Sequence, residues 1–311
     1  MTADTSDPAV LVEGLRKTYG SKVAVDEVSL AVERGEIFGI LGPNGAGKTT
    51  TVESIAGLRT GDAGRIRVLG LDPWTEREAL VQVLGVQLQE SKLQPKITVR
   101  EALELWTAFY DDPVPWADLA AQLGLAEHLD QRFGQLSGGQ QQRLSIALAL
   151  VGRPRVAILD ELSTGLDPRA RREVWQLVRD LREGGVTVVL VTHSMEEASE
   201  LCDRIAIIDR GRVRALGTPE ELVQSGGVAT ITSFEAASMD LEVLRGVAGV
   251  AAVRAEGDRV VVEGGEDVVL GVLTALAGHG IVPRKLRVIA GSLDVAYLDL
   301  TDETNDKVEA S

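Results

Sequence analysis

Cysteine is almost absent. Cys202 is the single one in 311 residues, so no internal disulfide can form and a reducing compartment is implied. Between Leu201 and Asp203-Arg204-Ile205, it reads as a small buried side chain rather than a reactive thiol. Long apolar runs are also missing. The longest, such as Val186–Val191, have the length of a buried strand and fall far short of the roughly 18 residues that a membrane helix needs. The first eight residues are polar and acidic, unlike a secretory signal. No block rich in lysine or arginine occurs, and the formal net charge is −15. Binding to nucleic acid rests on neutralising phosphates, so no nucleic acid partner is expected. The acidity itself is read as serving solubility.

What remains is the composition of a globular protein, 44% apolar and 25% charged, with length for one large domain and a small one. The stretch around which the rest is arranged is Gly42-Pro43-Asn44-Gly45-Ala46-Gly47-Lys48-Thr49. It fits the phosphate-cradling pattern G-x-x-x-x-G-K-[ST]. An apolar run, Ile37 to Leu41, precedes it, and Thr50 to Ala56 can continue as a helix. Backbone N–H groups and the helix N-terminus would attract phosphates. Lys48 would reach the outer phosphates of a nucleoside triphosphate, and Thr49 would supply a hydroxyl to Mg²⁺.

Before the loop, 9–35 reads as short strands over Ala9–Val12, Val23–Val25 and Val28–Val32, with Tyr19 closing the first segment. On spacing alone Tyr19 is equally a half-buried aromatic at a strand end. After the loop come a strand at 65–70, a helical stretch at 76–84 and a strand at 84–89. A helical block fills about 90–150, with one apolar face made of Leu103, Leu105, Trp106, Phe109 and Tyr110. Ser137 can cap the helix that Leu136-Ser137-Gly138-Gly139-Gln140 opens, its glycines forming a flexible turn. Val156–Leu159 is a buried strand ending in Asp160-Glu161, and paired carboxylates there point to a metal ion. Asp167-Pro168 starts a helix over 168–182, with Asp167 as N-cap. A strand over 186–192 ends at His193, and a hairpin over 204–216 carries Arg210, Arg212 and Arg214 on a solvated face. The loop, the acidic pair and His193 all follow carboxyl ends of strands, which lie on one edge of a parallel sheet.

Taken in order, these motifs over about 9–225 resemble the ATP-binding subunit of an ABC transporter. The resemblance implies an α/β fold of P-loop NTPase type, with an N-terminal antiparallel β subdomain and a helical subdomain. It implies ATP and Mg²⁺ as cofactors and ATP hydrolysis as the activity. Tyr19 matches the aromatic that stacks on adenine, and Gly42 to Thr50 the residues around the phosphates. Asp160 and Gln89, with Thr49, match the groups that serve Mg²⁺. Glu161, His193, Gln89 and Lys48 match the catalytic set: the base that orients water, the switch histidine, the glutamine that senses metal and water, and the phosphate-binding lysine. Ser137, Gly138, Gly139, Gln140 and Asp167 match residues that contact ATP bound to the opposite subunit. A homodimer around two ATP molecules is therefore expected, joined to separate integral membrane permease subunits at the cytoplasmic face of the membrane. Leu162-Ser163 stand where the family commonly has Pro-Thr, and Gln141 where a basic residue is common. Altered packing or rate is expected from these departures.

From 226 to 301 a small α+β domain is expected, its βαββαβ order that of a split ferredoxin-like unit. Disorder is expected over 1–8 and 302–311. The run Ser292 to Thr301 resembles the daunorubicin-type drug exporter subfamily, which implies export of a hydrophobic compound and an accessory domain for dimer contact or regulation. Two alternatives stay open: a soluble ABC ATPase acting on ribosomes or DNA, and an importer ATPase.

Overall fold

The computed structural model describes residues 7–88, 93–163, 165–225, 230–235, 241–257, 259–265 and 267–289, with residues 293 and 297. The chain divides into two compact units, Met1–Pro219 and Glu220–Ser311.

In the first unit, β1 (Val10–Tyr19) and β2 (Lys22–Val32) form a long antiparallel hairpin that β4 (Ala63–Val68) extends in the order β2-β1-β4. The three short strands expected over 9–35 are thus two long ones. Register shifts interrupt β1 against β2, and Gly14 and Glu27 both take left-handed φ of 57°. Each irregularity breaks the two-residue alternation by which a strand is recognised.

The second sheet has the order β5-β6-β7-β3-β8-β9. Its members are β3 (Ile37–Leu41), β5 (Leu84–Gln87), β6 (Val156–Asp160), β7 (Thr187–Thr192), β8 (Arg204–Asp209) and β9 (Arg212–Gly217). All neighbours pair in parallel except β8 and β9. Every residue of β3, β6 and β7 is buried, as expected for strands covered on both faces. Helix α1 (Lys48–Ile55) follows β3, and its Val52 and Ile55 join Val10, Val12 and Ile66 of one sheet to Phe38 and Ile40 of the other in one core. Burying each such side chain contributes about 1.5–3 kcal/mol.

Helix α2 is confined to Arg77–Val81, shorter than the expected 76–84. The helical block holds α3 (Val99–Thr107), α4 (Trp116–Gln122) and α5 (Gly138–Leu150). Thr98 and Glu101 start α3 with a reciprocal capping box. The expected apolar face is only partly covered: Leu103 is buried with Val99 and Ala102 of α3 and Trp106 and Tyr110 are half-buried, whereas Leu105 is 47% exposed and Phe109, beyond the helix end, 61%. Nor do the two glycines form a flexible turn, because α5 begins at Gly138 and includes them. Helix α6 (Pro168–Glu183) and α7 (Met195–Leu201) follow β6 and β7.

The arginines of the β8–β9 hairpin are not uniformly solvated. Arg212 Nε and Nη2 donate to Asp26 Oδ2 at 2.9 and 2.6 Å, and the Arg214 side chain is only 23% exposed. The Arg212 partner, Asp26, lies on a distant segment that local spacing could not reveal, whereas Arg214 pairs with Asp209 of the same hairpin. Cys202 is buried as expected, and burial pushes its thiol pKa well up.

Helix α8 (Pro219–Ser225) starts at the division between the units. Beyond it come β10 (Thr230–Glu235), α9 (Glu242–Arg245), β11 (Val250–Glu256), β12 (Arg259–Gly264), α10 (Val268–Gly278) and β13 (Arg284–Ile289). The sheet order is β11-β12-β10-β13, antiparallel throughout. That is the arrangement of a split βαβ unit, in which β12 lies between β10 and β11. Phe234, Val260, Val262, Val272 and Leu276 form its core. The expected disordered tail, 302–311, lies outside the described residues, as do 1–6 and most of the 292–301 run.

One position tests the packing of β5 on the helical block. A Cβ on Gly85 would lie 2.0 Å from the Ala149 carbonyl oxygen of α5. Gly85→Ala should therefore cost about 1–3 kcal/mol, as overpacked sites do. Urea unfolding checks this; a midpoint equal to the parent protein's would show that β5 can shift freely.

Candidate functional site

The loop after β3 is shaped by close backbone approaches. Gly47, the N-cap residue of α1, has φ 104° and ψ 0°. A Cβ there would sit 2.4 Å from the Ala24 carbonyl oxygen, so glycine alone fits. No side chain caps the helix, which leaves its first-turn N–H groups directed at whatever enters the loop. Lys48 is buried, and its Nζ donates to the carbonyls of Gly42 and Pro43 at 2.7 and 3.0 Å. The amine is thus folded back around the loop. Burial lowers its pKa, against the upward pull of Glu161 and Asp160.

A cleft of about 220 Å³ opens beside the loop, lined by Tyr19, Lys22, Ala24, Asn44, Gly45, Gly47, Lys48, Thr49, Thr50, Asp160 and Glu161. It is smaller than the roughly 300–1,000 Å³ of pockets that enclose a ligand. Tyr19 is 42% exposed, with the Arg59 guanidinium 5.4 Å from its ring centre. Gly42, Pro43 and Ala46 serve as backbone: the Ala46 N–H donates to Pro43 O, and Ala46 O accepts from the Gly211 N–H.

Asp160 is the last residue of β6 and is buried. Its N–H donates to Oε1 of Gln87, at the end of neighbouring β5, at 3.1 Å. Sequence reasoning missed Gln87; its signal was a polar residue ending an otherwise apolar strand. Glu161 takes a left-handed φ of 51°, strained for a residue with a Cβ. Its N–H donates to Val191 O of β7 at 2.8 Å, which turns the side chain off the strand end. His193 Nδ1 lies 3.0 Å from Glu161 Oε1. A carboxylate only accepts, so Nδ1–H is the donor.

Among the described residues no cluster of three or more His, Cys, Asp or Glu could cage a metal. The buried carboxylate of Asp160 and the threonine Thr49 that follows Lys48 do line the cleft. That donor set suits Mg²⁺, which is commonly held by one or two carboxylates together with substrate phosphates. Gln89, also expected to serve it, lies outside the described residues.

Ser137, Gly138, Gly139, Gln140 and Asp167 do not line this cleft. Ser137 caps α5 in a reciprocal box: its Oγ accepts from the Gln140 N–H at 3.3 Å, and Gln140 Oε1 accepts from the Ser137 N–H at 2.8 Å. Around Gly138 a Cβ would meet open space, and on Gly139 it would come within 3.3 Å of Leu166. Asp167 caps α6, accepting from the N–H groups of Arg169 and Ala170, and these bonds lower its carboxyl pKa. Gln141, the unusual residue of the motif, donates to the carbonyls of Phe133 and Leu136.

Residues 25–164 match the family model described as ABC transporter. A daunorubicin resistance ATP-binding protein of Streptomyces coeruleorubidus is 37% identical over 98% of this chain and 100% of its own length. The chain belongs to the ABC transporter ATP-binding family. This ABC ATPase is also 34% identical to a linearmycin resistance ATP-binding protein of Bacillus subtilis, over 94% of this chain and 98% of the relative. A Nod factor export ATP-binding protein of Ralstonia nicotianae is 42% identical, over 70% of each chain. Among solved structures, an ATP-binding subunit of an ABC transporter superposes with a TM-score of 0.65 at 27% identity, covering 70% of this chain and 93% of its own. A dimeric ATP-binding cassette in a post-hydrolysis state, bound to ADP and Pi, gives 0.63 at 28%, covering 67% and 98%. No described helix of this ABC ATPase is long and apolar enough to cross a membrane.

Gln87 is the test of how Asp160 is held. Gln87→Leu removes the acceptor of a buried N–H, so stability should fall by about 1–3 kcal/mol. Denaturant unfolding measures it, and an unchanged midpoint would mean that the Asp160 N–H finds another partner.

Proposed function

We propose that this ABC ATPase powers export of a hydrophobic compound through separate membrane permease subunits, working as a homodimer around two ATP–Mg²⁺ at the cytoplasmic face of the membrane. The observation that carries the reading is the convergence of Lys48, Thr49, Asp160 and Glu161 on one cleft, with His193 against Glu161. The residue types are those that phosphoryl transfer to water requires: charge neutralisation, a positioned nucleophile and in-line geometry.

In this reading Tyr19 stacks on the adenine, and the loop Gly42 to Thr50 wraps the phosphates. Thr49 and Asp160, together with Gln89, would hold Mg²⁺, which would supply positive charge against that of the phosphates. Lys48 leaves the loop carbonyls for the outer phosphates, an exchange of neutral acceptors for anionic ones. Glu161, kept oriented by His193 Nδ1, accepts a hydrogen bond from the attacking water, and the other ring nitrogen of His193 serves the γ-phosphate. The small open cleft leaves one side of a nucleotide uncovered. Gly138, in open space at the helix N-terminus, and Gly139 beside it suit the role of covering it from a second copy, together with Ser137, Gln140 and Asp167. The permease partner is supported by Leu105, exposed on α3, and Phe109, exposed just beyond its end. Export is supported by relatives named for resistance and export that match this chain at 34–42% identity.

Glu161→Gln should lower hydrolysis by at least about 100-fold, the loss typical of a general base, while retaining ATP. With ATP and Mg²⁺ the variant should double its mass by light scattering; a variant that stays monomeric overturns the homodimer. Lys48 supplies a pH test. Its folded pKa lies below the ordinary lysine value of 10.5 because of burial. The unfolded chain then binds more protons, so nucleotide-free stability rises with pH through that alkaline window. Phosphate anions favour the charged amine, so ATP binding should take up protons at alkaline pH. Calorimetry in two buffers of different ionisation enthalpy reads the uptake, which Lys48→Ala should abolish.

A further inference from the structure

Helices α6 and α7 face each other through a row of polar contacts. Arg171 Nη1 donates to Glu196 Oε2 at 2.9 Å, Arg179 Nη2 to Glu200 O at 3.2 Å, and Arg182 Nη2 to Asp203 Oδ1 at 2.9 Å. These pairs are partly exposed, and exposed pairs contribute little each. One member of the row differs. Glu197 is 1% exposed, and its Oε1 accepts from Trp175 Nε1 at 3.2 Å. Its Oε2 is buried with no hydrogen-bond partner among the described residues. A carboxyl group so placed costs desolvation that an apolar residue of the same size would avoid. Stability does not account for it.

Position does. Glu197 lies in the first turn of α7, and its N–H donates to Ser194 Oγ at 3.3 Å. The Ser194 N–H donates in turn to Thr192 Oγ1 at 2.9 Å. His193, enclosed by those two bonds, presents Nδ1 to Glu161. We propose that Trp175 and Glu197 are positioning residues for His193, holding its ring against Glu161 through the first turn of α7. They touch neither nucleotide nor water in this scheme. Because Asp167 caps α6, the same bond ties the helix of a residue expected to face the second subunit to the histidine beside Glu161. The proposal rests on the functional reading above only for its catalytic consequence.

The test uses the full chain and Trp175→Phe, which keeps an aromatic ring under Arg171, whose guanidinium lies 5.3 Å from the Trp175 ring centre, but removes the donor. Turnover should fall about tenfold, as small misplacements near a reacting centre do, with KM for ATP within about twofold of the parent. Glu197→Leu should behave alike, whereas Glu197→Gln, which keeps an acceptor for the indole, should stay near the parent value. The ring-proton NMR signals of His193 are resolvable among only three histidines and give a readout independent of hydrolysis. They should move in Trp175→Phe and Glu197→Leu and stay in place in Glu197→Gln. Should Trp175→Phe not fold, Ser194→Ala loosens the same link from the other side and should move the same signals. Folded variants with a lower melting point but unmoved His193 signals overturn the proposal. Moved signals with full turnover uphold the positioning and instead remove His193 from catalysis.

Discussion

In the parallel ladder of the large sheet, Asp160 of β6 lies beside Val191 of β7, and Leu41 of β3 beside Thr192. That register brings the phosphate-type loop, the acidic pair and His193 to one edge although the loop lies more than a hundred residues before the other two. A shift of one residue in either pairing would turn the buried strands out of phase with their covering helices. The core under the site therefore also sets its geometry. Three further constraints depend on the same edge: the left-handed turn at Glu161, the backbone bond from Glu161 to Val191, and the Gln87 acceptor for Asp160.

The edge explains why so many polar groups sit on apolar strands. Lys48 and Asp160 are nearly inaccessible and of opposite charge, and with Glu161 nearby each offsets part of the desolvation of the others. The Lys48 amine is held by the carbonyls of Gly42 and Pro43, which satisfy two of its donors inside the loop. The residues outside the cleft are also held locally. Ser137, Gln140 and Asp167 are satisfied by their own helix N-termini, so they stand ordered before any partner arrives and less entropy is lost on contact.

What could be read from the residues was what is local or strictly periodic. The loop from Gly42 to Thr49 needs glycine where φ is positive and backbone crowds, and that requirement is written in adjacent positions. The strand ends at Asp160 and His193 were legible because fully buried strands are uniformly apolar and stop abruptly. The order of the C-terminal unit was legible because its strands and helices are short and well separated by turns. What escaped depends on partners far away in sequence. The hairpin of β1 and β2 hid behind irregularities at Gly14 and Glu27. Leu105 and Phe109 are apolar yet exposed, and periodicity alone does not tell a covered apolar face from an uncovered one. Arg212 is solvated as its spacing implies, but its bond to Asp26 spans 186 positions and leaves no local sign.

Trp175 and Glu197 escaped for the same reason, and their pairing bears on how the two ends of the site communicate. A cation over an aromatic ring, a buried carboxylate and a helix cap are each ordinary. Placed in series between Asp167 and His193, they join a helix that starts at a surface loop to a helix that starts at the reacting edge. Rigid elements joined through a buried, directional bond move together more readily than elements joined by solvated ion pairs, whose geometry is loose and screened. A force applied at the start of α6 would therefore reach the Glu161–His193 pair through Trp175 rather than through the exposed arginines.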